Sequence, residues 1–126
     1  MPDTLDDLLL TWETNYKKGL LTFWMLLVLH RQPAYALELG ELVEQASLGT
    51  LSADENSIYR ALSRFERLGL LEGEWRPSDV GPARRYFRLS DKGLRLLRAF
   101  TERNLTVFQR RDVQRRIRSL LEGNSR

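Results

Sequence analysis

The chain has 126 residues, enough for one hydrophobic core but not two. With 42% apolar and 29% charged residues it has an ordinary globular composition, which argues against disorder, and having no cysteine it holds neither disulfides nor thiolate metal sites. The net charge of +3 is segregated: residues 1–56 carry nine acidic and three basic residues for −6, and residues 57–126 carry seventeen basic and eight acidic for +9.

Such segregation presents a basic surface from the second half of the chain, as a polyanion binder would. Seventeen of the twenty basic residues are arginine, whose planar fork matches phosphates and guanine edges. The longest apolar stretch, residues 23–29, falls far short of the ~20 residues of a membrane span. The acidic start (Asp3, Asp6, Asp7) has the wrong charge for a secretory leader, so a cytoplasmic location and no membrane partner are expected.

Thr4 and Asp7 have capping-box spacing and predict a first helix, with Leu5, Leu8, Leu9, Trp12 and Tyr16 along one face. A second helix, about 18–30, is apolar nearly all round and is expected to be the buried one. Gln32-Pro33 ends it, and His30 reads as a helix-end residue rather than a metal ligand. A third helix over about 34–46 turns Tyr35, Leu39, Leu42, Val43 and Ala46 inward. Its Glu38, Glu41 and Glu44 read as a solvated face. Gly49 then breaks the chain within a turn over 47–51.

The fourth helix has the sharpest start signal, a capping box of Ser52 and Glu55. Ile58, Ala61, Leu62, Phe65 and Leu68 or Gly69 form its inward stripe. Asn56, Arg60, Ser63 and Arg67 lie opposite, flanked by Tyr59 and Arg64. Residues 71–76 and 85–89 alternate as strands, and the turn-rich stretch 77–83 is too short for a crossover, so they form an antiparallel hairpin. Ser90 caps a long last helix. Leu94, Leu97, Thr101, Leu105 and Phe108 keep one face of it, while Val113, Ile117, Leu120 and Leu121 take another, which predicts a break near 109–112. The division expected is an N-terminal helix (1–17), a central domain (18–90) and a C-terminal helical region with a basic tail (91–126).

The order helix, helix, turn, capped helix, hairpin, helix is that of a winged helix-turn-helix: mainly α, with a two-stranded antiparallel wing. A helix ~10–12 Å across fits the ~12 Å major groove of B-DNA, and a basic hairpin beside it reaches the adjacent backbone. Ser57-Ile58-Tyr59-Arg60-Ala61-Leu62-Ser63-Arg64-Phe65-Glu66-Arg67-Leu68-Gly69-Leu70-Leu71 closely resembles the recognition-helix pattern of the PadR family of transcription regulators. Gly81-Pro82-Ala83-Arg84-Arg85-Tyr86-Phe87-Arg88-Leu89-Ser90-Asp91-Lys92-Gly93 resembles its wing pattern. Pro33-Ala34-Tyr35-Ala36-Leu37 is a weakened form of a third motif. Where the family often has Ser-Pro-Gly before the recognition helix, this chain has Asp54, Glu55 and Asn56.

The resemblance, over residues 20–98, implies a homodimer that represses transcription by covering a roughly palindromic operator on double-stranded DNA. The residues expected at DNA are Asn56, Ser57, Tyr59, Arg60, Ser63, Arg64 and Arg67 on the fourth helix and Arg76, Arg84 and Arg85 on the wing. One of Arg84 and Arg85 is expected to turn inward or to pair with Glu72 or Glu74. The residues expected to hold the dimer are Leu5, Leu8, Leu9, Trp12, Tyr16, Leu94, Leu97, Leu105 and Phe108. In some members of the family, aromatic groups between subunits bind planar hydrophobic effectors, and a small hydrophobic effector is carried here as a candidate partner. Trp12, Trp24 and Trp75 read first as core or interface residues. No phosphate loop, metal triad or nucleophile–base pair is visible, so neither an enzyme nor a cofactor is expected. The alternative is a winged-helix protein-interaction module that has lost DNA binding, which would have no use for arginines on the fourth helix and wing.

Overall fold

The computed structural model describes residues 4–123, so Asp3 of the acidic start lies outside the described residues. The chain divides into two compact units, residues 1–94 and 95–126. The first contains α1 (Leu5–Arg31), α2 (Ala36–Ala46), α3 (Glu55–Arg67), β1 (Leu71–Ser78), β2 (Gly81–Leu89) and the first turn of α4 (Asp91–Asn104). The second holds the rest of α4, a 3-10 turn (Thr106–Gln109) and α5 (Arg111–Leu121). This is the mainly helical, winged helix-turn-helix architecture expected.

α1 opens on the capping box: the Asp7 N–H donates to Thr4 Oγ1 (3.1 Å) and the Thr4 N–H donates to Asp7 Oδ2 (3.3 Å). It then runs unbroken for 27 residues, where two helices were expected. Residues 17–19 carry two lysines and a glycine but no proline, and the backbone passes through them without losing its ladder. What changes there is burial. Leu5, Leu8, Leu9, Trp12 and Tyr16 are exposed, whereas Met25, Leu26, Val28 and Leu29 enter the core. Exposed His30 sits in the last turn, and Gln32, extended before Pro33, ends the helix.

The segment after Pro33 does not begin α2 at once. The Ala34 N–H donates to Phe87 O (3.1 Å) and the Phe87 N–H to Ala34 O (2.9 Å), so the linker lies along β2 as a one-residue third strand. α2 therefore starts at Ala36, two residues later than expected, and buries Ala36, Leu39 and Val43. It closes in a Schellman arrangement: the Gly49 N–H donates to Glu44 O (2.8 Å) and the Leu48 N–H to Gln45 O (3.1 Å). The first left-handed residue of that motif is Leu48, at φ 56°, and the glycine that follows it is left-handed too, at φ 78°. Buried Ser47 ties the turn to Leu51, whose N–H donates to Ser47 Oγ (3.1 Å).

α3 buries Ile58, Ala61, Leu62 and Phe65, and Leu68 stays outside. The hairpin pairs Leu71 with Leu89, Gly73 with Phe87, Trp75 with Arg85 and Ser78 with Gly81. The wing is thus longer, and its turn tighter, than the sequence suggests, since only Asp79 and Val80 lie between the paired ends. Pro77, which has no N–H to give, falls where the register shifts. The core of the first unit is completed by Ala34, Leu51, Leu70, Leu71 and Phe87.

In α4, Thr101 Oγ1 donates to Leu97 O (2.7 Å) and Asn104 Nδ2 to Phe100 O (3.0 Å), and beyond it Thr106 Oγ1 donates to Glu102 O (2.9 Å). These side chains bond backwards to carbonyls four residues earlier, and of the three acceptors Glu102 O is one that the helix end at Asn104 leaves open. The break is therefore a 3-10 turn starting some residues before the expected 109–112, and α4 is ~21 Å long. No helix among the described residues is long and apolar enough to cross a membrane.

Candidate nucleic-acid interface

α3 is fixed at both ends. At its start the Ser57 N–H donates to Asp54 Oδ1 (2.6 Å), so Asp54, not Ser52, is the N-cap, and Glu55 is the first helical residue. The backbone N–H of Ser57, its hydroxyl and the charge of Arg60 hold the Asp54 carboxyl below its ordinary value of 3.8. Both acids at this end match the positive pole of the helix.

At its far end Gly69, at φ 79°, makes a second Schellman turn, with the Leu70 N–H donating to Phe65 O (2.9 Å). Three further carbonyls are taken up by the start of α4. Lys92 Nζ donates to Leu68 O (2.8 Å), Ser90 Oγ to Gly69 O (2.6 Å) and the Ser90 N–H to Leu70 O (3.0 Å). Ser90 Oγ also accepts from the Gly93 N–H (3.0 Å). Gly93 is needed because a Cβ there would lie 2.2 Å from Leu70 O.

With the apolar stripe buried, the opposite face of α3 is left to solvent. Asn56, Tyr59, Arg60, Ser63, Arg64 and Arg67 are all exposed on it. Ser57 is half-buried and its hydroxyl accepts from Arg60 Nη2 (3.4 Å). Arg64 lies over the Phe65 ring at 5.2 Å.

Beside this face stands the wing. A cleft of about 450 Å³ separates the two, with Tyr59 and Ser63 of α3 on one wall and Trp75 and Arg84 of the wing on the other. Trp75 is 68% exposed, so it is neither core nor cage. The sequence reading did not place it here, although its alternation with Gly73 and Leu71 puts it on the wing face turned toward α3.

The three wing arginines expected at DNA each have a partner within the chain. Arg76 Nε donates to Glu74 Oε1 (2.8 Å) and its guanidinium lies 4.4 Å from the Tyr86 ring. Arg84 Nη1 donates to Tyr35 Oη (3.1 Å) and stacks over that ring at 4.5 Å. Arg85 is the inward one. It grips Glu66 of α3 with both Nη atoms, and Glu72 and Glu74, its expected partners, bind Arg88 and Arg76 instead.

The residues expected at a dimer face divide by burial. Leu5, Leu8, Leu9, Trp12 and Tyr16 in the first unit are open to solvent, Trp12 at 74%. Leu94 is half-buried. In the second unit Phe108 is exposed, Leu105 half-buried, and Leu97 covered to 5% exposure. Among the described residues no group of three or more His, Cys, Asp or Glu could hold a metal ion.

The transcriptional regulator PadR-like family model matches residues 25–99, from the buried end of α1 to the middle of α4. A PadR family transcriptional regulator from Eggerthella lenta is 30% identical, over 82% of this chain and 88% of that one, with a TM-score of 0.70. A PadR-like transcription factor from Bacteroides fragilis is 32% identical, over 79% of this chain and 97% of that one, with a TM-score of 0.59. Bacillus subtilis PadR, solved in complex with operator DNA, shares the fold at 16% identity and a TM-score of 0.59, over 64% of this chain and 45% of that one. Among curated proteins nothing matches the chain. The chain belongs to the PadR-like family of transcriptional regulators, DNA-binding proteins rather than enzymes.

Proposed function

We propose that this protein acts in the cytoplasm as a sequence-specific repressor that binds a roughly palindromic operator as a homodimer. The observation that carries the reading is the two-sidedness of α3. One face is sealed in the core by Ile58, Ala61, Leu62 and Phe65, and the other presents Asn56, Tyr59, Arg60, Ser63, Arg64 and Arg67 next to an arginine-bearing hairpin. That face inserts in the major groove. Arg60 and Arg64 reach guanine edges, and the Asn56 amide and Ser63 hydroxyl bond to bases or phosphates. Tyr59, Ser57, Arg67, Arg76 and Arg84 hold the flanking backbone and so fix the register.

The second copy is recruited through the exposed stripe of Leu5, Leu8, Leu9, Trp12 and Tyr16, together with Phe108. A twofold pairing closes on itself and sets two recognition helices about 34 Å apart, one turn of DNA. That a B. subtilis protein of the same fold is solved on operator DNA supports DNA as the partner.

The test is a mobility-shift titration on duplexes from the protein's own upstream region and on random duplexes of equal length, across a salt series. The expected result is preferential binding to one upstream duplex that weakens steeply with salt. Equal and weak binding to all duplexes refutes the reading.

A further inference from the structure

Glu66 is the one carboxylate of α3 beyond its first turn, and it is not spent on solvent. It lies on the edge of the buried stripe, beside Phe65, and faces Arg85 on the inner face of β2. Arg85 Nη1 donates to Glu66 Oε1 (2.9 Å) and Arg85 Nη2 donates to Glu66 Oε2, a two-pronged pair only about one-third exposed on each side. The arginine reaches it by passing directly over Gly73, where a Cβ would stand 2.8 Å from Arg85 Nε. The guanidinium also rests 5.2 Å from the Phe87 ring. Gly73 therefore leaves the lane through which the two groups meet.

A two-stranded ribbon by itself is marginal and free to swing. This one is pinned at its base by the Ala34–Phe87 backbone pair and by Arg84 on Tyr35. The Arg85–Glu66 pair is a polar side-chain link between wing and recognition helix, and it sits two residues along β2 from that base, on the way to the turn at Asp79 and Val80. We propose that it is a strut that sets the angle between α3 and the wing. Glu66 is then a positioning residue for DNA binding, and Arg85 acts through Glu66 rather than on a phosphate. The proposal rests on the DNA-binding reading above.

The sign of one substitution separates the alternatives. Electrostatics alone says that neutralising an acid beside a polyanion tightens binding. A strut says the reverse. Glu66→Gln, in the full chain, is expected to weaken binding to the preferred upstream duplex about three- to tenfold, the scale of a lost charged fork. Its far-ultraviolet circular dichroism and melting temperature should stay within a few degrees of the parent. Arg85→Gln should weaken binding similarly while leaving the slope of log affinity against log salt unchanged, and the double variant should lose no more than either single one. Equal or tighter binding by Glu66→Gln overturns the strut, as does a fall of about one in the salt slope of Arg85→Gln, which would put that arginine on a phosphate. If the parent binds no duplex, both this proposal and the DNA-binding reading fall. If the parent binds and Glu66→Gln does not weaken it, only the strut falls.

Discussion

Gly93 is the position at which one methyl group has the clearest consequence. An alanine Cβ would lie 2.2 Å from Leu70 O, 2.8 Å from Leu89 Cδ1 and 3.1 Å from Leu70 C. An ordinary contact needs at least ~3.4 Å, so the α4 backbone and the 68–70 segment must part by roughly 1 Å, and overpacking of that kind costs about 1–3 kcal/mol. The hydrogen bond from the Ser90 N–H to Leu70 O lies in the gap that opens, and its weakening adds up to ~1 kcal/mol. Against this, alanine favours helix over glycine by ~1 kcal/mol. The net loss for Gly93→Ala is about 1–3 kcal/mol, which for a domain of this size lowers Tm by roughly 5–15 °C. Thermal melts followed by circular dichroism, with a urea titration to confirm an unchanged m-value, measure it. An unchanged or raised Tm would refute the close approach of α4 to the end of α3, since helix propensity would then be the only effect left.

Four other outcomes are expected. Arg60→Ala and Arg64→Ala should each weaken binding to the preferred duplex by about 1–3 kcal/mol, with the fold intact by circular dichroism; unchanged affinity in both removes α3 as the reading element. Leu48→Gly or Leu48→Asn should stabilise the protein by about 1 kcal/mol in urea titrations, because a left-handed φ of 56° penalises leucine and this side chain, 89% exposed, packs on little. Asp54 titrates below its ordinary value in the folded chain, so its stabilisation is present above that value and fades as pH falls through the folded one; the gap in Tm between the parent and Asp54→Ala, open at neutral pH, should close in strong acid. Trp12→Glu and Phe108→Glu should each shift sedimentation from dimer to monomer at micromolar concentration and abolish tight DNA binding, with most of the helix content kept. Phe108 is the better probe than Leu97, whose burial within the chain makes a charge there a test of folding.

What the sequence made legible was local and periodic. Ile58, Ala61, Leu62 and Phe65 recur at helical spacing because one helix face must be sealed, and all four are buried. The hairpin followed from alternation on either side of a short turn. Positions decided by contacts distant in sequence were not legible. α2 begins late because Ala34 is claimed by Phe87, more than fifty residues on. α1 passes through residues 17–19 without a break because nothing there forbids a helix, although the apolar pattern changes character. At α3 two start signals overlapped, and the carboxylate of Asp54 prevailed over the hydroxyl of Ser52. Of Arg84 and Arg85, one was expected to turn inward, and the strand face that Arg85 shares with Phe87 and Leu89 singles it out. Its partner Glu66 could have been sought on the edge of the α3 stripe rather than on β1, whose Glu72 and Glu74 point to the other face.

The short pairing of Ala34 with Phe87 also bears on how the protein avoids sticking to itself. A protruding ribbon offers two rows of unpaired amides and carbonyls, a template on which a strand of another molecule could grow. On the β2 side that row is blocked at its base by the linker after Pro33, which ends there and turns into α2. On the β1 side Pro77 withholds a donor beside the register shift, and Glu72, Glu74 and Arg76 surround the remaining groups with charge. The wing can therefore project toward a partner with its amides in water and still be a poor seed for β-aggregation, a property that rests on one proline at its tip and one alanine at its root.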